Sequence, residues 1–598
     1  MCPILIREGG ALLARRDLLT YLAKGAKYVA SDLQLEPTLS KASAPFHLFI
    51  LIDSRAMNSS RVRSLLILGL FAAASAAYCL CQAFSSHSPQ HLFFHVTLAP
   101  QQTQAVSGRL LIFVELGSKL EEVRVNEFHP TGVYVAAKDV SDWKPGESVD
   151  IDVDNIAYPA GYSTLPPGDY VAQAVLDTAH KFAYYGRVAG DLESAPTALA
   201  HWTPGQGTEP QLTLSNVVQE HPNDWLSPRL KLTAEEKQGA IDSTALFDFL
   251  SPALTQFWGR PMHIRAWVVV PPGYKEHPKQ RYPTVYWTHG FGGTLDRIHP
   301  FAAMVYQRMA EGKMPPMIWV LLDESSPRGT HEFADSVNNG PWGTALTTEA
   351  IPALERQYRM DAKPSGRLLN GHSSGGWATL WLQVKYPKIF GGSWPTSPDP
   401  SDFHDFTGID LYAAHANAYT KPDGSPHPLV RDHGKVMATV EQLTKLEDVL
   451  GPYGGQMASF DWVFSPRGPG GRPEPMFNRA TGEVDPTVVA YWQQHYDIAY
   501  RVAQQWPTIG RDLRGKVHLY VGTADTFYLD GAAHRLDAVF QSLHADEHFT
   551  FIPGRTHMDL YRVGKDPLGL FDQIAAQMYA VARPKAHWTA KESSAASP

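Results

Sequence analysis

Apolar residues come in short runs along this chain, and the rhythm of those runs changes near residue 250. Residues 91–116 hold two of them, HLFFHVTLA and RLLIFVEL, separated by a polar Gln/Thr/Ser stretch. Further runs lie at 132–137 and 170–176, the last behind the turn cluster Leu165-Pro166-Pro167-Gly168-Asp169. Short strands broken by Pro/Gly turns, with no long helical period, predict an all-β, Ig-like sandwich over 90–200. Residues 201–224 are polar and rich in Pro and Gly, so 201–249 is expected to be a linker.

Beyond 250 the pattern is different. Ile264, Ala266, Val268 and Val270 alternate with His263, Arg265 and Trp267, a two-residue period that predicts a strand. Apolar strand candidates at 284–287, 317–322, 367–369, 391–394, 517–521 and 549–552 then take turns with helical stripes. Trp377, Leu380, Trp381 and Val384 form one such stripe; Leu536, Val539, Phe540 and Leu543 form another; Phe571, Ile574, Ala575 and Met578 form a third. Alternating strands and helices predict an α/β fold with a mostly parallel central sheet over 250–585. Ligands in such sheets sit at the carboxyl ends of the strands. The stretch 400–510 interrupts the alternation and carries Trp462, Phe464, Phe477 and Trp492. It is expected to cap the site; a solvated surface insertion is the alternative. Residues 586–598 are expected to be a flexible tail.

The N-terminal region has a separate logic. Residues 57–83 place Arg61 and Arg63 before an uncharged apolar run from Leu65 to Leu80, followed by small residues. That is the pattern of a secretory signal peptide, cleaved after Ala76 or Ala83. The run is also just long enough for an uncleaved anchor over 64–81. Residues 1–56 are expected to be an over-extended start or an unstructured extension before Met57. A secreted or periplasmic location follows, membrane-attached only if the leader is uncleaved.

Composition narrows the chemistry. The chain has 598 residues and a net charge of −8, so no basic field for nucleic acid exists. Its three cysteines, Cys2, Cys79 and Cys81, all precede residue 82. A disulfide framework, a cysteine-ligated zinc and a cysteine nucleophile are therefore excluded from everything downstream. His404, His415, His427 and His433 lack ligand spacing and are expected at the surface, so no metal and no cofactor is expected.

Residues 371–375 read Gly-His-Ser-Ser-Gly, between the apolar Leu368-Leu369 and a striped helix. A G-x-S-x-G match is weak alone, but strand–turn–helix is the setting of a nucleophile elbow. Ser373 is the expected nucleophile, and it needs an imidazole to take its proton. The imidazole in turn needs a carboxylate that fixes its tautomer. The strand at 517–521 leads to Asp525 and the strand at 549–552 to His557. Both belong at the edge where Ser373 stands, so Asp525 is the expected acid and His557 the expected base. Asp530 and Asp399 compete for the acid role, and Asp559 is expected to face solvent. An oxyanion requires two preorganised N–H donors. Ser374 supplies one, and Phe291 in Thr288-His-Gly-Phe-Gly-Gly293 supplies the other, with Gly292 as its substitute. Residues 331–342 lie on the same edge and offer Phe333, Asn339 and Trp342 as substrate-binding groups, or form a structural loop. Glu349 is expected to begin the next helix.

The segments HGFGG, EFADSVNNGPWGTALTTEAIPALE, LLNGHSSGGWATLWLQVKYP, GTADTFYLD and PGRTH resemble the bacterial "putative esterase" family of α/β-hydrolases. That family includes enterochelin esterases, feruloyl esterases, S-formylglutathione hydrolase and mycolyltransferases. The resemblance covers about 250–585 and implies the nucleophile, acid, base and oxyanion roles just given. A sandwich before the esterase domain is similar to the enterochelin-esterase layout. The leader, the extra domain and the long insertion depart from the glutathione-ester member. The expected activity is a secreted serine esterase acting on a small-molecule or glycan ester through an acyl-enzyme. An acyltransferase of the same fold and a catalytically silent carbohydrate-binding protein are the alternatives.

Overall fold

The computed structural model describes residues 6–8, 11–13, 91–126, 128–178, 187–219, 224–226, 228–451, 454–586 and 588–590. The chain divides into two units, 1–90 and 91–598. In the first, Ile6–Glu8 and Ala11–Leu13 pair antiparallel. The leader expected at 57–83 lies outside the described residues, as does most of the segment before it and of the tail expected at 586–598.

The second unit opens with a nine-stranded sheet from Phe93–Leu98 to Gln211–Val217. Its pairs are antiparallel except for the two strands just named, which run parallel. The long strands Val106–Leu116 and Gly168–Asp177 are the expected apolar runs, and they pair in register from Arg109–Asp177 to Leu116–Tyr170. Alternation divides their side chains between two apolar layers. Leu110, Ile112 and Val114 join Phe94, Tyr162 and Trp202, whereas Leu111 and Phe113 face the other way.

The expected linker at 201–249 is instead structured. Gln211–Val217 buries Leu212 and Leu214 as a strand of the first sheet. A helix at Ala234–Ser243 follows, begun by a Thr233/Glu236 capping box. The first strand of the second sheet is β1, Thr244–Leu250. These segments read as polar because each buries only one thin face: β1 leaves Leu246 and Leu250 about half exposed.

The second sheet continues with β2 (His263–Val269), β3 (Thr284–Thr288), β4 (Ile318–Leu322), β5 (Arg367–His372), β6 (Gly392–Thr396), β7 (His518–Gly522) and β8 (His548–Ile552). Their spatial order is β1-β2-β4-β3-β5-β6-β7-β8. The β1–β2 and β2–β4 pairs are antiparallel and the remainder parallel. The fold is thus of α/β-hydrolase type with a mixed sheet. Val285 and Trp287 of β3 pack on one face with helices α1 (His299–Ala310) and α6 (Gly569–Ala582). Tyr286 packs on the other with Ile351 and Leu354. Helix α2 (Ser374–Lys385) follows β5, and α5 (Leu529–Ser542) follows β7.

Between β6 and β7 the insertion folds into a hairpin (Pro428–Asp432 with Lys435–Thr439) and helices α3 (Val440–Leu450) and α4 (Gln456–Phe464). Two further helices follow, Pro486–His495 and Ile498–Leu513. His427, expected at the surface, is buried where its N–H meets Tyr419 O (2.8 Å). Helix α3 also closes the outer face of the first sheet. Leu446, Val449 and Leu450 pack on Leu111, Phe113 and Val135, and Arg109 donates from Nε to Val449 O (2.8 Å). This contact joins the two sheets mechanically. Leu446→Ala should therefore cost about 2–5 kcal/mol in chemical denaturation, the range for a fully buried leucine truncated without collapse of the site.

Candidate functional site

Strand β5 ends at His372, and the chain then turns sharply. Ser373 has φ 61° and ψ −127°, a conformation costly for any residue with a Cβ. Its neighbours hold it there. Its N–H donates to Thr396 O on β6 (3.1 Å), and its carbonyl accepts from Trp377 (3.0 Å) and Asp399 (3.2 Å). The flanking glycines are steric necessities. A Cβ on Gly371 would overlap the Gly375 carbonyl, and one on Gly375 would overlap the carbonyls of Thr288 and His289 at the end of β3. Gly376, outside the five-residue motif, abuts Pro398: a Cβ there would stand 2.9 Å from its Cα. Gly290 faces the serine itself, with 2.9 Å from a Cβ there to Ser373 Cβ.

Two more strand ends contribute side chains at this edge. Asp525, three residues past β7, is fully buried. Its Oδ1 accepts from Phe527 N (2.9 Å) and its Oδ2 lies 2.9 Å from His557 Nδ1. Burial opposes its charge, but the His557 ring and these hydrogen bonds hold its carboxyl below the usual range. With Nδ1–H committed to Asp525, His557 Nε2 is left as an acceptor. The His557 ring is 4.3 Å from that of His372, the residue before Ser373. His372 is half-buried; lost hydration and the neighbouring His557 drive its pKa down to about 3, so it is neutral.

Of the competing acids, Asp530 pairs with Arg431 (2.7 Å) and Asp399 accepts from the Ser374 hydroxyl (2.6 Å). Burial pushes Asp399 up to about 6, against the pull of Ser374, His557 and the Ser373 hydroxyl. Asp559, expected to face solvent, is partly exposed. It accepts from Thr556 N and Oγ1 (2.8 Å each) and from Arg555 (2.7 Å), and so shapes the turn that carries His557.

Among the expected oxyanion donors, Ser374 is buried at the start of α2, Phe291 follows Gly290, and Gly292 is exposed at φ 76°. The expected substrate-binding residues divide. Phe333 is wholly buried in the core beneath the sheet, packed with Trp342 and Leu346, so it is not a wall of an open site. Asn339 and Trp342 line a cavity of about 270 Å³. Glu349 does not serve its own helix; its carboxylate accepts from Ser251 Oγ (2.5 Å) and Ala253 N (3.1 Å) at the start of another.

The sequence reading missed several groups. Arg431 on the insertion hairpin donates to Asp525 O (2.7 Å) and fixes the acid's loop from above. His289 sits with Nδ1 2.8 Å from Gly290 O and Nε2 3.2 Å from Asp323 Oδ1, contacts that steady the loop bearing Phe291. Glu324 and Glu332 lie buried nearby, and burial raises both. No motif announces them, although Asp323-Glu324 directly after β4 stands at the edge where ligands bind.

The family model described as "Putative esterase" matches residues 256–561. No curated protein matches. Among solved structures, a ferulic acid esterase is similar at 13% identity over 57% of this chain and 97% of its own, with a TM-score of 0.35. A fluorophosphonate-binding serine hydrolase of Staphylococcus aureus is similar at 11% identity over 57% and 98%, with a TM-score of 0.34. An S-formylglutathione hydrolase from Agrobacterium tumefaciens is similar at 15% identity over 57% and 94%, with a TM-score of 0.31.

Two outcomes follow. Gly375→Ala should prevent the native elbow from forming, read as a loss of thermal stability well beyond the ~1 kcal/mol typical of a point substitution. Glu324 has a folded pKa of about 8 against an ordinary 4.5. Between those values the unfolded chain releases a proton that the folded one keeps, so stability falls as pH rises through that window. Glu324→Gln should flatten this slope. Its stability relative to the native protein should improve by more than about 1 kcal/mol between pH 5 and pH 8, measured by denaturant unfolding at each pH.

Proposed function

The chain belongs to the "Putative esterase" family and is a carboxylic ester hydrolase; from that premise we propose that it works through a Ser373–His557–Asp525 triad and an acyl-enzyme. The observation that carries this reading is the His557 Nδ1 to Asp525 Oδ2 contact of 2.9 Å beside a serine held at φ 61°. Ser373 Oγ attacks the ester carbonyl carbon while His557 Nε2 takes the hydroxyl proton. The carbonyl oxygen becomes an oxyanion, received by the N–H groups of Ser374 and Phe291. As the intermediate collapses, the C–O bond to the alcohol breaks and His557 returns the proton to the departing oxygen. Water then enters, gives its proton to His557, and attacks the acyl carbon; Ser373 leaves with that proton. Asp525 stays ionised throughout and stabilises the imidazolium.

The same reading places the protein outside the cytoplasm, on the strength of the apolar run at 65–80. It also takes the nine-stranded sheet as an Ig-like sandwich, supported by its two apolar layers.

A fluorophosphonate probe should label the native protein and leave Ser373→Ala unlabelled, with the variant still folded by circular dichroism. Asp525→Asn should lower kcat by about 10⁴ while leaving KM little changed, because the wrong imidazole tautomer is presented. Labelling of Ser373→Ala at the native rate would remove Ser373 from the mechanism.

A further inference from the structure

The cavity beside β4 has a character the triad does not explain. Its lining includes Arg260, Arg265 and Arg328, with Trp258, Met262 and Trp342 as apolar wall. Arg265 is paired with Asp248 (3.2 Å). Arg260 and Arg328 are not paired: among the described residues, neither has a carboxylate partner. Their neighbours are rings. Arg328 lies 4.3 Å over Trp462, and Arg260 lies 5.8 Å from the Trp258 ring centre. The acid in the lining, Asp323, is engaged elsewhere, 3.2 Å from His289 Nε2 and accepting from Ser325 N (3.0 Å). Burial lowers the Arg328 pKa, and the positive charges of Arg472 and Arg260 lower it further. Like charges gathered against aromatic walls with no carboxylate paired to them are unfavourable unless an anion joins them.

The cavity is also close to the chemistry. Gly329, next to Arg328, abuts the Phe291 ring: a Cβ there would stand 2.9 Å from Phe291 Cε2. Gly290, next to Phe291, faces Ser373. Its volume of about 270 Å³ suits one small group rather than a polymer.

We propose that this cavity is a substrate subsite in which Arg260 and Arg328 receive a carboxylate carried by the ester. Planar guanidinium groups bind carboxylates in paired, charge-assisted hydrogen bonds, and the tryptophans accept the carbon skeleton that bears the charge. The natural substrate is then an anionic ester. This rests on the serine-esterase reading for turnover, but binding in the cavity does not.

Two ester pairs locate the carboxylate. For the acyl side, the 4-nitrophenyl monoester of terephthalic acid is compared with its methyl-capped form. For the alcohol side, 4-carboxyphenyl butyrate is compared with its methyl ester. The native protein should favour the anionic member of one pair by tenfold or more in kcat/KM. Arg260→Gln/Arg328→Gln should lose that preference through KM and keep its rate on the neutral ester. Calorimetry with 4-carbamoylbenzoate and with 4-hydroxybenzoate, neither of them an ester, reads binding without turnover, and binding of one of them should weaken with added salt and in the double variant. If the native protein turns over no ester and resists fluorophosphonate, the esterase reading fails, and calorimetry alone decides the cavity. A double variant with native preference and native binding, or a native protein that neither prefers nor binds an anion, overturns the subsite.

Discussion

The close approach of α2 to the end of β3 governs the geometry of the site. Gly375 lies where any side chain would overlap the carbonyls of Thr288 and His289. That contact lets the helix begin directly behind β5, and the chain can do so only by forcing Ser373 to a positive φ. The strain is borne by bonds to three separate segments: Thr396 on β6, Trp377 on α2 and Asp399 beyond β6. Removing the serine's side chain leaves these bonds intact; filling the glycine position does not.

Electrostatics at this edge depends on which carboxyls have partners. Asp525 stays ionised in a buried place because an imidazole and two backbone N–H groups meet it. Glu324, Glu332 and Asp399 are equally buried with fewer compensating contacts, and burial drives all three upward. The difference matters for an oxyanion. A negative charge behind the Ser374 amide would oppose the oxyanion that this amide is proposed to receive. Glu324, raised to about 8, and Glu332, raised well above the usual range, keep their protons near neutral pH, whereas Asp399, at about 6, does so only in more acidic solution.

The insertion between β6 and β7 contributes to both halves of the molecule. Its hairpin sends Arg431 to the Asp525 loop and to Asp530. Its helix α3 buries Leu446 against the first sheet, and α4 contacts the segment after β4, where Ser459 Oγ accepts from Thr330 N (2.9 Å). The Asp525 loop and the first sheet are therefore tied through one element.

Local pattern was enough for much of this. Strand β2 follows from period-two alternation, β3 to β8 from short apolar runs, and helices α2, α5 and α6 from period-3.6 stripes, since these signals are carried by neighbouring residues. The order Ser373, Asp525, His557 was legible because each follows an apolar strand, and parallel strands bring their ends to one edge. Thin edges escaped: Gln211–Val217 and β1 bury too few residues to show a period. So did several groups whose role depends on distant partners. Arg431, Glu324 and the arginines of the cavity occupy unremarkable stretches of sequence, and Phe333 reads as a pocket wall until the sheet closes over it. Sequence determined which backbone segments form and in what order, because periodicity is local. Tertiary structure alone decided which charges meet and which are left without a partner, because desolvation and pairing depend on residues far apart in the chain.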